Sequence, residues 1–136
     1  MDIKALDEAL TNIAEKKNML LNLDYSDSRY DEIEDELHAL EDNLVENFGD
    51  MLEDVLYEVH DEYCPDNEVL VPTAYLAKEY LVSGLNGHRV FDVKHNEGVL
   101  VEADDFPGET RLVLVPSPIR ILLMNGKNTK EVVWKP

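Results

Sequence analysis

The longest helical pattern in this 136-residue chain is SRYDEIEDELHALEDNLVENFGDMLEDVLYEVHDE, residues 28–62. Its early apolar residues recur three and four positions apart, which is the spacing of one helical face: Tyr30, Ile33, Leu37, Leu40 and Leu44. After Gly49 the apolar positions cover more than one stripe, and a face that wide needs more than one packing neighbour. We therefore expect a long helix whose second half packs against a different element from its first half.

The preceding segment predicts a partner helix over residues 2–23. Its apolar positions keep the same spacing, with Lys17 as the one polar interruption of the seam: Ile3, Leu6, Leu10, Ile13 and Leu20. Asp2 suits the N-cap, where a carboxylate accepts a free backbone N–H of the first turn. The intervening DYSDS, residues 24–28, favours a turn. A loop this short predicts an antiparallel helical hairpin.

From residue 89 onward the pattern is that of β-strands. Turn-forming residues separate five predicted strands, at residues 89–94, 98–104, 111–115, 119–124 and 130–134. Their short connections favour antiparallel pairing, and the stretch 112–115, apolar on both faces, indicates a central strand. Between the helices and the strands, residues 73–82 fit either a helix or a strand, and Pro72 and Gly84 at their ends favour a short third helix.

The sequence therefore predicts an α+β fold. An acidic, coiled-coil-like helical hairpin over residues 1–64 precedes a β-rich region over residues 65–136. That region is expected to form a five-stranded antiparallel sheet or half-barrel packed on the second half of the long helix. The two regions form either two domains or one continuous domain.

The negative charge is confined to the helical half. Residues 1–68 hold 22 Asp and Glu against four Lys and Arg, a net charge of −18, whereas residues 69–136 hold eight of each. A field of this sign repels nucleic acid and anionic lipid and attracts basic surfaces or divalent cations. The acidic, weakly apolar start of the chain and its single cysteine, Cys64, favour a cytoplasmic protein without disulfides.

The acidic face of the long helix is the leading candidate for a binding surface. Glu34, Asp35, Glu41 and Asp42 represent it, and no Lys or Arg occurs between Arg29 and Lys78 to interleave with them. Helices built only for stability usually pair such acids with bases four residues away. We expect a non-enzymatic interaction module that contacts a basic protein surface or a second copy of the chain. A solvated helix surface and a divalent-cation site are the alternatives.

The predicted hairpin tip, DYSDSRYD at residues 24–31, carries a D-x-x-D pair formed by Asp24 and Asp27. An acidic tip on a helical hairpin, followed by a β-rich region, resembles the Gre-type transcript-cleavage factors. In that family two tip acids help to hold a metal ion in the active site of RNA polymerase. The resemblance implies that role for Asp24 and Asp27, and a regulator of RNA polymerase as a further alternative.

Other candidate chemistry is sparse. His60 and Cys64 are four residues apart on the long helix, the spacing of two zinc ligands, although a histidine near a helix C-terminus also complements the helix dipole. No nucleophile motif or phosphate-binding loop occurs, and no cofactor is predicted. The second functional hypothesis is a small-molecule or catalytic pocket in the β-rich half, with the hairpin as a dimerisation arm. Its candidate residues are His88, Arg89, His95, Arg111 and Arg120.

Overall fold

The computed structural model describes residues 2–84 and 89–136. Two α-helices come first, α1 at Ile3–Leu21 and α2 at Tyr30–Tyr63, followed by a 3₁₀ helix at Pro72–Tyr75. The described residues also form six strands: β1 Leu81–Ser83, β2 Val90–Asp92, β3 Val99–Ala103, β4 Phe106–Val115, β5 Arg120–Asn125 and β6 Thr129–Trp134. No helix in the described part of the chain combines the length and apolar character that a membrane span requires.

The helical hairpin is confirmed. Asp2 caps α1, because its carboxylate accepts the backbone N–H of Ala5 at 3.0 Å. The apolar seams of both helices enter one core cluster, in which Leu6 and Leu10 of α1 join Leu37 and Leu44 of α2. The two helices are held together because each buries the apolar stripe of its surface against the other.

The β-region differs from the prediction in its sheet composition. The main sheet has four antiparallel strands in the order β3-β4-β5-β6, and β2 pairs with β1 in a separate two-stranded ribbon. The predicted five-stranded sheet is therefore wrong in detail. The reason is that β2 lies across a face of the main sheet, where Phe91 is fully buried and its N–H donates to the carbonyl of Ser117.

The predicted central strand is confirmed, because β4 pairs with β3 on one side and with β5 on the other. Alternate residues of β4 enter two different cores, as the two faces of a strand require. Leu112 and Leu114 pack with the helices, whereas Val113 and Val115 pack with the ribbon and with Tyr80. The main sheet thus packs on the helical hairpin through one face and on the β1–β2 ribbon through the other, and Ala14 of α1 also enters the cluster on the ribbon side.

The predicted third helix over residues 73–82 is wrong. The 3₁₀ helix ends at Tyr75, Leu76 is extended, and β1 begins at Leu81. Side chains from distant segments form hydrogen bonds with the backbone N–H and carbonyl groups that would pair with each other in a helix. The Asn18 side chain bonds both the N–H and the carbonyl of Tyr80 at 2.9 Å, and the buried Glu97 carboxylate accepts the N–H groups of residues 78 and 79. Tertiary contacts therefore override the local helical pattern.

Candidate functional site

The acidic face of α2 has almost no internal neutralisation. The helix contains 14 Asp and Glu and no Lys or Arg. Within residues 2–84 and 89–136, its only ion pair joins Glu36 to Lys16 of α1 at 2.6 Å. The predicted residues Glu34 and Glu41 are half-buried, and Asp35 and Asp42 are exposed. Glu34 and Glu41 are seven residues apart, and so are Asp35 and Asp42. Seven residues are two helical turns, so the four acids lie on one face of the helix.

Glu41 faces the one lysine that interrupts the α1 seam. Burial lowers the pKa of the Lys17 ammonium, and the charges of Glu41 and Glu97 act in the opposite direction by favouring the protonated form. Lys17 is therefore a partly desolvated cation between two carboxylates. It offsets part of the charge at the inner edge of the acidic face but leaves the outer edge, at Asp42, unneutralised.

A groove runs beside the acidic face, and we name it the α2 groove. It consists of two adjoining depressions of about 380 Å³ and about 170 Å³, which share Val45 and Thr73 in their walls. The groove lies between α2 and the segment that leads into the 3₁₀ helix. Its remaining lining residues are His38, Glu41, Asp42, Gly49, Asp50, Glu53, Val69, Leu70, Val71 and Pro72.

The α2 groove combines exposed apolar side chains on both walls with acidic side chains on the α2 wall. Val45, Leu70 and Val71 leave 46%, 42% and 65% of their surfaces exposed, which is unusual for residues of this size grouped in one place. Its helical wall extends from residue 38 to residue 53, which at 1.5 Å per residue is roughly 22 Å. The arrangement fits an elongated ligand with an apolar face and positive charges beside it.

A hydrogen-bond chain fixes the second wall of the groove. The Tyr75 hydroxyl accepts the N–H of Leu70 at 3.0 Å and lies 2.8 Å from Nε2 of His60. His60 Nδ1 lies 3.1 Å from the carbonyl of Asn67, which only accepts, so Nδ1 carries the proton and Nε2 accepts from Tyr75. The chain holds residues 67–70 against the end of α2.

The same contacts make the two predicted zinc ligands, His60 and Cys64, poorly suited to bind a metal ion. Both ring nitrogens of His60 have protein partners, so the ring has no lone pair left for a metal ion. Cys64 is fully buried, and its burial raises the pKa of the thiol to about 11, which disfavours the thiolate that binds metal. Across residues 2–84 and 89–136, no cluster of three or more His, Cys, Asp or Glu is arranged to hold a metal ion.

The hairpin tip is partly neutralised from within. The Asp27 carboxylate accepts hydrogen bonds from the backbone and guanidinium of Arg29, which lower its pKa. Asp24 is exposed, and the rings of Tyr25 and Tyr30 pack against each other in a tilted arrangement with centroids 4.7 Å apart. Asp27 is therefore occupied by an internal cation, and a metal-holding role for the two tip acids stays a prediction.

The structure brings together two of the five candidate residues of the β-rich half. His95 and Arg111 line one cavity of about 370 Å³. Arg89 instead forms an ion pair with Glu15 of α1, and the Arg120 guanidinium donates to the carbonyls of Phe91 and Pro118. The fifth residue, His88, lies outside the described residues.

Sequence reasoning missed the second wall of the α2 groove, residues 69–73. The available signal was the run Val69, Leu70 and Val71 immediately before Pro72, three apolar residues without a predicted strand partner. Comparison with known proteins adds no further assignment to either site. No protein-family model, curated protein or solved structure matches this chain.

Proposed function

We propose that the protein is a non-enzymatic binding module that receives a basic, amphipathic helix of a partner protein in the α2 groove. The observation that carries this proposal is the coincidence of exposed apolar side chains with wall carboxylates that form no ion pair within residues 2–84 and 89–136. Burial of apolar surface would supply the affinity for such a ligand, and the acids would orient it and raise its association rate.

The dimensions of the groove favour a helical ligand. A wall of roughly 22 Å corresponds to about four helical turns, which is long enough for the i, i+3, i+4 and i+7 anchors of a helix docked in a groove. The exposed apolar residues lie in the middle at Val45 and Val71, whereas Asp42 and Asp50 lie on the α2 wall around Val45. A helix with leucines on one face and lysines on both sides of that face would complement this pattern.

A synthetic peptide of defined sequence can stand in for the partner in a test of the proposal. The probe is an 18-residue amphipathic Leu/Lys helix with a fluorescent label, and its control is a peptide of the same composition in scrambled order. We expect the amphipathic peptide to bind at least about tenfold more tightly, because only it presents a continuous apolar face. Equal binding of the two peptides would contradict a role for the exposed apolar side chains of the groove.

Matched variants locate the binding surface. Glu41→Gln with Asp42→Asn removes two charges from the groove wall, and Glu58→Gln with Asp61→Asn removes two exposed α2 charges that do not line the groove. The first pair should weaken peptide binding several-fold more than the second. Equal losses would show attraction to the helix as a whole. Dimer formation that is abolished by Val45→Asp would instead identify a second copy as the occupant.

A further inference from the structure

A second cavity lies at the end of the main sheet that carries the β5–β6 turn, and we name it the turn cavity. It has a volume of about 370 Å³. Three separate segments form it: the loop after β2 supplies His95 and Asn96, β4 supplies Glu109 and Arg111, and the β5–β6 turn supplies Lys127. It shares no lining residue with the α2 groove.

The turn cavity concentrates positive charge in a strongly acidic protein. Arg111 and Lys127 line it together with His95, against one carboxylate, Glu109. Within the described residues Lys127 forms no ion pair, in contrast to Arg111, whose Nε and Nη2 lie 2.9 Å and 2.8 Å from the Glu109 carboxylate. The formal charge of the lining is therefore positive even with a neutral imidazole.

Hydrogen bonds hold the Arg111 guanidinium and the backbone of the turn that carries Lys127. Glu109 holds one edge of the Arg111 guanidinium, and the carbonyl of Gly98 accepts from Nη1 at 3.2 Å. The turn that carries Lys127 is tied to β4, because the Gly126 N–H donates to the carbonyl of Glu109 at 3.1 Å. Asn125 Nδ2 adds a bond to Thr110 Oγ1 at 2.9 Å. Such preorganisation lowers the entropic cost of binding.

We propose that the turn cavity binds a small organic anion that carries a phosphate or carboxylate group. Lys127 supplies an uncommitted ammonium, and Arg111 has N–H groups beyond those bonded to Glu109 and Gly98. His95 and Asn96 add polar residues to the lining of the same cavity. The volume exceeds that of a bare oxyanion and therefore leaves room for the organic remainder of the ligand.

Titration of the isotope-labelled full chain tests this proposal. The probes are inorganic phosphate and citrate, each at constant ionic strength maintained with NaCl, and the readout is the backbone amide resonances of Asn96, Gly126 and Lys127. We expect saturable shifts at these amides with at least one probe, and the probe that saturates at lower concentration identifies the preferred headgroup. The absence of saturable shifts with both probes up to 20 mM, roughly the weakest useful affinity, overturns the proposal.

Two lysine variants separate a site from general attraction to positive charge. Lys127→Ala removes the uncommitted ammonium from an exposed turn, and Lys135→Ala removes an exposed lysine that does not line the cavity. Lys127→Ala should weaken anion binding about tenfold, the usual effect of one lost charge-assisted hydrogen bond, whereas Lys135→Ala should leave it unchanged. Equal effects of the two substitutions would overturn the proposal. The outcome is independent of the peptide experiments on the α2 groove.

Discussion

At the scale of single residues, three side chains decide the course of the backbone after the 3₁₀ helix. Asn18 bonds both polar groups of the Tyr80 backbone, and Glu97 accepts two consecutive N–H groups. The Tyr80 hydroxyl accepts the N–H of Ala77 and donates to the carbonyl of Leu114, each at 2.9 Å. Burial raises the pKa of Tyr80, so it keeps its hydroxyl proton at neutral pH. The segment is therefore held by side chains instead of a helix.

Substitution of Tyr80→Phe tests the contribution of this hydroxyl. It leaves a buried N–H at Ala77 without its partner and removes a bond to Leu114, so we expect the free energy of unfolding to fall by about 1–3 kcal/mol. Urea denaturation measures the change. Tyr25→Phe is the matched control, because the Tyr25 side chain is 86% exposed and its substitution should change stability very little. A loss below that of the control would show that the hydroxyl is energetically dispensable.

At the scale of elements, Gly49 connects helix stability with the α2 groove. A Cβ atom placed there would meet only Val45, at 3.4 Å, so the space for alanine exists. Alanine is favoured over glycine inside a helix by about 0.5–1 kcal/mol. Because Gly49 also lines the groove, the added methyl group would occupy part of the space for a ligand.

Gly49→Ala should therefore change stability and binding in opposite directions. We expect a free energy of unfolding higher by about 0.5–1 kcal/mol and a several-fold weaker affinity for the amphipathic peptide. Urea denaturation and fluorescence anisotropy measure the two quantities. Ala39 is already alanine on an exposed part of α2, and Ala39→Gly provides the reverse control, with lower stability and unchanged peptide affinity. Peptide binding that rises with stability would place the ligand elsewhere.

The elements that were predictable from the sequence depend on local patterns. The helices follow from apolar spacing within each segment, and the strands follow from apolar runs between turn residues. Residues 76–80 were not predictable in this way, because their conformation depends on Asn18, 62 positions away from Tyr80. For the α2 groove, one wall was predictable from the sequence and the other was not, because the second wall depends on contacts between distant residues. Its acidic wall is visible in the sequence, whereas its second wall depends on the contact between His60 and Tyr75.

At the scale of the whole molecule, the apolar core opposes the repulsion between the acids. One core cluster contains Leu10 of α1, Leu56 of α2 and Leu123 of β5, so it joins the helical hairpin to the main sheet. The net charge of −18 is carried entirely by residues 1–68, whereas residues 69–136 have no net charge. Repulsion among like charges on the hairpin costs stability that the core must supply, and salt screens it over distances of about 8–10 Å.

Added salt should therefore stabilise the protein while weakening its proposed ligand contact. We expect the free energy of unfolding to rise between roughly 0.01 M and 0.3 M NaCl, because screening relieves repulsion along α2. Over the same range the affinity for the amphipathic peptide should fall, since its attraction to the acids is screened as well. Urea denaturation and fluorescence anisotropy follow the two quantities.

Neutralisation of Glu34, Asp35, Glu41 and Asp42 to the corresponding amides should flatten both salt dependences together. A salt dependence of stability that survives neutralisation unchanged would assign the repulsion to other acids, and the acidic face would then be a solvated surface without a cost to the fold.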